Sequence, residues 1–232
     1  MEVRALTSGR VRGKRAERGL RRYLGDDWAD ETLPVHAFLV EHPDGSCLFD
    51  TGQTARATDP GWFPSWHPFF RLARFELGPE DEVAAQLDRP EEVRLVVLSH
   101  LHTDHVGGLD AFSHADVVVL RGEWERARGL RGRVRGYLPQ RWPVTVEPRL
   151  VDLDGPPVGP FPATHDLLGD GRLLLVPLPG HTPSHAGLLV RDDGRTLLLA
   201  GDAKDVPDGD FVVLTAHDDR VPALLERARV AL

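Results

Sequence analysis

The sequence predicts a single layered α/β domain, on three observations. Apolar runs of strand length recur along all 232 residues and alternate with stretches of helical character. No linker-like segment divides the chain, and no repeat of fixed period is present. Histidines and aspartates follow several of the apolar runs, at the strand ends where sites collect in layered α/β folds.

Residues 1–32 form a basic segment carrying Arg4, Arg10, Arg12, Lys14, Arg15, Arg18, Arg21 and Arg22; it lacks the apolar stretch of a secretory signal and reads as a solvated arm or loop. Residues 34–40 and 46–50 flank the turn His42-Pro43-Asp44-Gly45 and read as a hairpin running into Asp50-Thr51-Gly52. Within an aromatic-rich insertion at 53–78, residues 59–70 hold Trp62, Phe63, Trp66, Phe69 and Phe70 among prolines and read as an ordered loop. Pro79 and the acids after it open a predicted helix over 79–88. A buried strand over 94–99 precedes a helical stretch at 105–112 that Gly107-Gly108 interrupts. Another strand at 117–120 leads to a helical patch at 123–128, and residues 129–171 hold few periodic elements. Short strands at 173–177, 186–191, 196–200 and 211–214 precede a closing amphipathic helix at 221–232.

Composition narrows the function classes. Hydrophobic residues make up 41% and charged residues 28%, the balance of a soluble globular protein. The net charge of −8 argues against nucleic acid as a partner, and no apolar run approaches the roughly 18 residues of a membrane span. Cys47 is the one cysteine, so an internal disulfide is excluded and a cytoplasmic location is the simplest expectation. Cys47 itself reads as a small buried residue.

The chemistry concentrates in His100-Leu101-His102-Thr103-Asp104-His105. Alternate residues of an extended segment share a face, so His100 and His102 can converge on one cation. Asp104 and His105 follow where the chain turns, and can serve a second ion from the other side of the loop. Imidazole and carboxylate suit zinc and related divalent ions. His181 in Pro179-Gly180-His181-Thr182-Pro183, Asp202 after Gly201, and His217 each lie just past a predicted strand.

Taken together, these motifs resemble the metallo-β-lactamase superfamily: His-x-His-x-Asp-His, a later Gly-His, a Gly-Asp, a final His, and an early Asp-Thr-Gly. The likeness runs from about residue 33 to 217. Closer in, the segments around Pro34–Gly45, Leu98–Gly108 and Pro179–His185 resemble the N-acyl homoserine lactonase-like branch. The resemblance implies a four-layer αββα sandwich in one domain over residues 1–232. It implies two divalent ions, Zn2+ first among Fe, Mn and Co, with His100, His102 and His181 on one, Asp104, His105 and His217 on the other, and Asp202 bridging. His185 resembles the second His of the family's Gly-His-Thr-Pro-x-His run and reads as a hydrogen-bonding partner or packed histidine. Asp50 reads either as the group that orients a ligand histidine or as a plain turn carboxylate.

The expected reaction is attack on a lactone or ester carbonyl by a hydroxide that the two ions share, with Asp104 steering the water and passing a proton to the leaving group. One departure stands out. Lactonases of this branch often carry a tyrosine three residues after the bridging Asp, where this chain has Asp205, next to Lys204 as a candidate replacement electrophile. The loop with Trp62, Phe63 and Trp66 reads as core, as a homodimer interface, or as the wall of a substrate pocket. Competing expectations are a thioester hydrolase of the glyoxalase II type or a phosphodiesterase on the same scaffold, and a non-catalytic metal-binding or sensing protein.

Overall fold

The computed structural model describes residues 1–15, 26–192 and 194–230. Two sheets face each other. The larger takes its strands in the order β4-β1-β2-β3-β5-β6-β7, with β1 (Glu2–Gly13), β2 (Leu33–Glu41), β3 (Ser46–Phe49), β4 (Ala73–Glu76), β5 (Val93–Val97), β6 (Asp116–Leu120) and β7 (Arg149–Val151). The smaller runs β12-β11-β10-β9-β8, built from β8 (His165–Asp166), β9 (Leu173–Pro177), β10 (Ala186–Asp192), β11 (Arg195–Leu199) and β12 (Val212–Leu214). Pairing is antiparallel along β4-β1-β2-β3 and parallel along β3-β5-β6-β7.

The two-residue period of a strand explains why so many runs are apolar throughout. Phe38, Val40, Phe49 and Val97 point between the sheets to meet Leu173, Leu175, Leu188, Val190, Leu197 and Leu199. Their neighbours Leu39, Leu48, Val96 and Leu98 point the other way, onto Leu101, Val106, Leu109, Phe112 and Tyr137. On the smaller sheet, Leu174, Val176, Leu189 and Leu198 form the outer face, covered by Phe161 with Val158, Val206 and Phe211. Along strands such as β2, β9 and β10 both faces are therefore buried, and alternation with polar residues disappears there. Helix α4 (Val221–Val230) inserts Val221, Leu225 and Ala228 into the central layer beside Val3.

Several expectations need correction. The basic N-terminal segment is not an arm: β1 is a 12-residue strand paired with both β2 and β4. Its arginines reach out to partly exposed ion pairs, Arg10 with Asp219 at 3.0 Å and Arg12 with Glu76 at 3.1 Å, while Val3, Leu6 and Ser8 are buried. Arg18, Arg21 and Arg22 lie outside the described residues. The predicted helix at 79–88 is two single 3-10 turns, Pro79–Asp81 and Val83–Gln86. Glu82 between them is extended, and its carboxylate accepts hydrogen bonds from Thr54 Oγ1 and the Ala55 amide, so a tertiary contact overrides the local helical preference. The aromatic insertion includes β4, and the stretch 129–171 holds α3 (Gly129–Val134) as well as β7 and β8. Among the described residues, no helix is long and apolar enough to cross a membrane.

Candidate metal centre

Strand β5 carries the chain to the C-terminal end of the parallel strands, and residues 98–102 follow as a loop before the short helix α1 (Thr103–Val106) begins. His102 is extended, at φ −72° and ψ 159°, so the turn into α1 starts only after it. The loop is clamped from the side by the Asp50–Thr54 turn: Thr51 N donates to His105 O at 2.8 Å and Gly107 N donates to Gly52 O at 2.8 Å. That contact explains Gly107-Gly108. A Cβ on Gly108 would lie 2.4 Å from the Thr51 carbonyl oxygen, and one on Gly107 would lie 2.6 Å from the Thr54 nitrogen. Asp50 has a positive φ of 62°, which Asp tolerates better than most residues and which turns its carboxylate towards the loop.

Two clusters result. In the first, Nδ1 of His102 lies 3.0 Å from Nε2 of His100 and 2.8 Å from Nε2 of His181, so three imidazole nitrogens crowd one point. In the second, Nε2 of His217 lies 3.5 Å from Asp104 Oδ2, and Nε2 of His105 lies 4.0 Å from Asp104 Oδ1. Asp202 stands between them. Its Oδ1 is 3.2 Å from Nε2 of both His105 and His217, and its Oδ2 is 3.4 Å from Nε2 of His181. All seven residues named from the sequence are brought together.

The hydrogen-bond network fixes which ring nitrogens face inward. Ser99 Oγ donates to Asp50 Oδ2 at 2.8 Å, which leaves it to accept from His100 Nδ1 at 3.0 Å. His105 Nδ1 donates to Asp50 Oδ2 at 2.8 Å, and His217 Nδ1 donates to the Pro34 carbonyl at 2.6 Å. Each of these rings therefore turns an Nε2 lone pair to the centre, the tautomer that metal-ligating histidines need. His105 Nε2 and Asp202 Oδ1 are buried and, although only 3.2 Å apart, make no well-directed hydrogen bond, a costly arrangement unless a cation serves both. The donor set fits two divalent ions.

Electrostatics agree with that fit. Burial, reinforced by His181, drives His102 down to about 3, and burial with the neighbouring His105 holds His100 well below its usual value. His181 is lowered too, chiefly by burial. These rings are neutral near pH 7, as ligation requires. Burial tends to raise Asp104, but His105 and His217 outweigh it and hold it at about 2; Asp202 is held well below the usual range in the same way. Burial tends to lower His217, yet Asp202 and Asp104 push it up to about 10, and His105 also rises well above its usual value. The paired carboxylates thus call for positive charge, which protons on His105 and His217 or divalent cations can supply.

A cleft of about 110 Å³ opens over His102, Thr103, Asp104, His181 and Asp202, walled by Phe63, Phe70, Ala73 and Phe75. The rings of Phe63 and Phe70 stack at 4.9 Å. The other aromatic residues named from the sequence lie elsewhere. Trp62 lines a neighbouring cavity of about 380 Å³ and is flanked by the guanidinium groups of Arg56 and Arg141, at 4.6 and 4.3 Å. Trp66 is 65% exposed. Lys204 and Asp205 are exposed and are not among the residues lining the cleft. His185 is buried, and its Nε2 accepts a hydrogen bond from the Asp202 amide at 3.2 Å. Sequence reasoning missed Glu123, Tyr137 and Thr182: the Tyr137 ring stacks on His102 at 4.9 Å, and its hydroxyl, like that of Thr182, donates to the buried Glu123 carboxylate. No local spacing marks Glu123 or Tyr137, although Thr182 sits inside the Gly-His-Thr-Pro motif.

Comparison with known proteins gives a consistent result. A family model described as the metallo-beta-lactamase superfamily matches residues 30–232. The N-acyl homoserine lactonase AttM of Rhizobium radiobacter is 34% identical over 185 residues, covering 75% of this chain and 66% of that protein. The probable metallo-hydrolase Rv2300c of Mycobacterium tuberculosis is 35% identical over 193 residues, covering 78% of this chain and 61% of that protein. The matches thus span just under two thirds of these relatives' own length. Among solved structures, an N-acyl homoserine lactone hydrolase with the product N-hexanoyl-L-homoserine at its catalytic metal centre superposes with a TM-score of 0.63 at 20% identity, covering 98% of this chain and 85% of that one. AidC, a dizinc quorum-quenching lactonase, gives 0.57 at 17% identity, covering 86% of this chain and 70% of that one. At such identities the likeness is one of fold.

Proposed function

The chain belongs to the metallo-β-lactamase superfamily, and from that premise we propose that it is a binuclear metal-dependent hydrolase of lactone or ester carbonyls, similar to N-acyl homoserine lactonases. The observation that carries the reading is the position of Asp202, one carboxylate oxygen towards His181 and the other towards His105 and His217. A carboxylate so placed is suited to bridge two cations. In this reading His100, His102 and His181 hold the first ion, Asp104, His105 and His217 the second, and zinc suits the nitrogen-rich set best.

Two such ions would supply Lewis acidity for a carbonyl oxygen and would lower the pKa of a water towards neutrality. The chain does the rest. Asp104 lies on the cleft wall with its carboxylate held ionised, so it can take a proton released during attack and pass it to the departing alkoxide. Phe63, Phe70 and Phe75 present an apolar wall that suits an acyl chain or aromatic acyl group and excludes water from beside the reacting carbonyl. Among the described residues the wall carries no arginine or lysine to receive a phosphodiester, which favours neutral carbonyl substrates.

Metal analysis with a screen of lactone, thioester, aryl ester and phosphodiester substrates tests the proposal. Two ions per chain and fastest turnover of an acylated lactone or ester are expected. His102→Ala should lose an ion and most of the activity; retention of both would overturn the assignment. Two bound ions with no turnover on any class would instead point to a binding or sensing protein.

A further inference from the structure

Glu123 lies on α2 (Arg121–Ala127), fully buried on the outer side of the larger sheet. Its Oε1 accepts from the Tyr137 hydroxyl at 2.9 Å and from the Leu101 amide at 3.3 Å, and its Oε2 accepts from the Thr182 hydroxyl at 2.8 Å. These three donors come from three separate segments, and each adjoins a different part of the first cluster. Leu101 lies between His100 and His102. The Tyr137 ring stacks on His102 at 4.9 Å and 28°. Thr182 follows His181 directly. One carboxylate therefore braces all three imidazoles from behind, without itself belonging to either group of candidate ligands.

Burying a carboxylate is costly, and its three neutral donors answer its lone pairs but not its charge; the Arg126 guanidinium interacts with the Tyr137 hydroxyl but makes no ion pair with the carboxylate itself. A glutamine could still hold the segments together, its oxygen accepting from Tyr137 and Leu101 while its amide nitrogen donates to a Thr182 hydroxyl that rotates to accept. A negative charge placed beside three neutral imidazoles gains a further role if a cation sits among them. We propose that Glu123 is the positioning residue of the first metal site, setting the convergence of His100, His102 and His181 and favouring a cation there by its charge. The inference rests on the two-ion reading given above. It assigns Glu123 to one ion only, because no hydrogen bond, ion pair or ring contact joins Asp104, His105 or His217 to Leu101, Tyr137 or Thr182.

Zinc titration against a chromophoric chelator tests this, with circular dichroism and thermal unfolding as checks on the fold. In a His217→Ala background, which retains the first cluster, adding Glu123→Gln should weaken the remaining ion roughly ten- to a hundredfold. In a His181→Ala background, which retains the second cluster, the same change should leave the remaining ion unaffected. Equal weakening in the two backgrounds identifies a general structural brace and overturns the proposal, as does unchanged affinity in both. Should Glu123→Gln not fold, Thr182→Val and Tyr137→Phe each remove one bond to the carboxylate. A selective, smaller loss at the first site supports the proposal, and native affinity in both variants overturns it. A wild-type chain binding fewer than two ions overturns the two-ion reading itself, a result visible before any variant is made.

Discussion

Oδ2 of Asp50 lies 2.8 Å from Nδ1 of His105, while Oδ1 of the same carboxylate accepts from the Ser99 amide at 2.8 Å. The left-handed backbone at Asp50 makes both contacts simultaneous, and Ser99 Oγ adds a third hydrogen bond. A turn on one strand end thus orients a ring from the next.

Asp50→Ala removes all three acceptor contacts in a fully buried place. The Ser99 amide, the Ser99 hydroxyl and His105 Nδ1 lose their partner, so stability should fall by about 3 kcal/mol. Metal affinity should fall roughly 10–100-fold, because the His105 ring loses both its orientation and the charge that makes Nε2 more basic. Asp50→Asn keeps the side-chain shape and tolerates the positive φ, so most of the stability returns while the affinity does not. Urea denaturation and zinc competition measure the two effects; an Asp50→Ala chain native in both would refute the role.

Gly108→Ala isolates the contact between the same turn and the metal loop. The glycine has ordinary dihedrals, φ −85° and ψ 2°, so the cost comes from the clash alone. The opposing atom is the Thr51 carbonyl oxygen at 2.4 Å, which belongs to backbone and cannot swing away. A loss of about 1–3 kcal/mol is expected in chemical denaturation. Gly13→Ala, where nothing lies within 4 Å, is the control and should change stability little. Equal behaviour of the two variants would show that the close approach is unimportant.

Phe63 and Trp66 separate substrate wall from surface. Phe63 lines the cleft over Asp104 and Asp202, whereas Trp66 is mostly exposed and is not among its lining residues. For a long-chain or aromatic acyl substrate, Phe63→Ala should raise KM about tenfold, the scale of losing a few methylene-sized contacts. The fold should remain, and kcat should change less than KM. Trp66→Ala should leave both constants near wild type. A Trp66→Ala effect larger than that of Phe63→Ala would move the acyl site to the outer loop.

What was legible in the sequence follows from how local each signal is. Strands such as β5, β9 and β10 were readable because both faces bury apolar residues, so Leu173-Leu174-Leu175-Val176 is apolar whichever way each side chain points. The histidines and aspartates of the site follow such strands, which put them at recognisable places. Strand β1 was hidden because arginines interrupt its apolar positions, and the charge masked the buried Val3 and Leu6, which face opposite layers. The choice of Phe63 over Trp62 and Trp66 depends on how a proline-rich loop folds back on β4, which no periodicity encodes. Glu123 was invisible for a related reason: its partners lie 22, 14 and 59 residues away in sequence.

Cys47 supplies a prediction on pH. It sits in β3 within the layer between the sheets, and burial pushes its thiol from 9.0 up to about 12. The thiolate is the nucleophile, so the native chain should resist alkylation at pH 8 and react only when denatured. The sign of the stability effect follows from linkage. The folded thiol keeps its proton to higher pH than the unfolded one, so its contribution is complete below about pH 9 and declines as pH rises from there towards 12. Cys47→Ala removes this titration, at the cost of a small cavity that does not depend on pH. The stability difference between wild type and Cys47→Ala should therefore narrow between pH 8 and pH 10.5, measured by chemical denaturation in matched buffers. A constant difference across that range, or ready alkylation of the native protein, would mean that Cys47 is reached by solvent and that the layer between the sheets opens at β3.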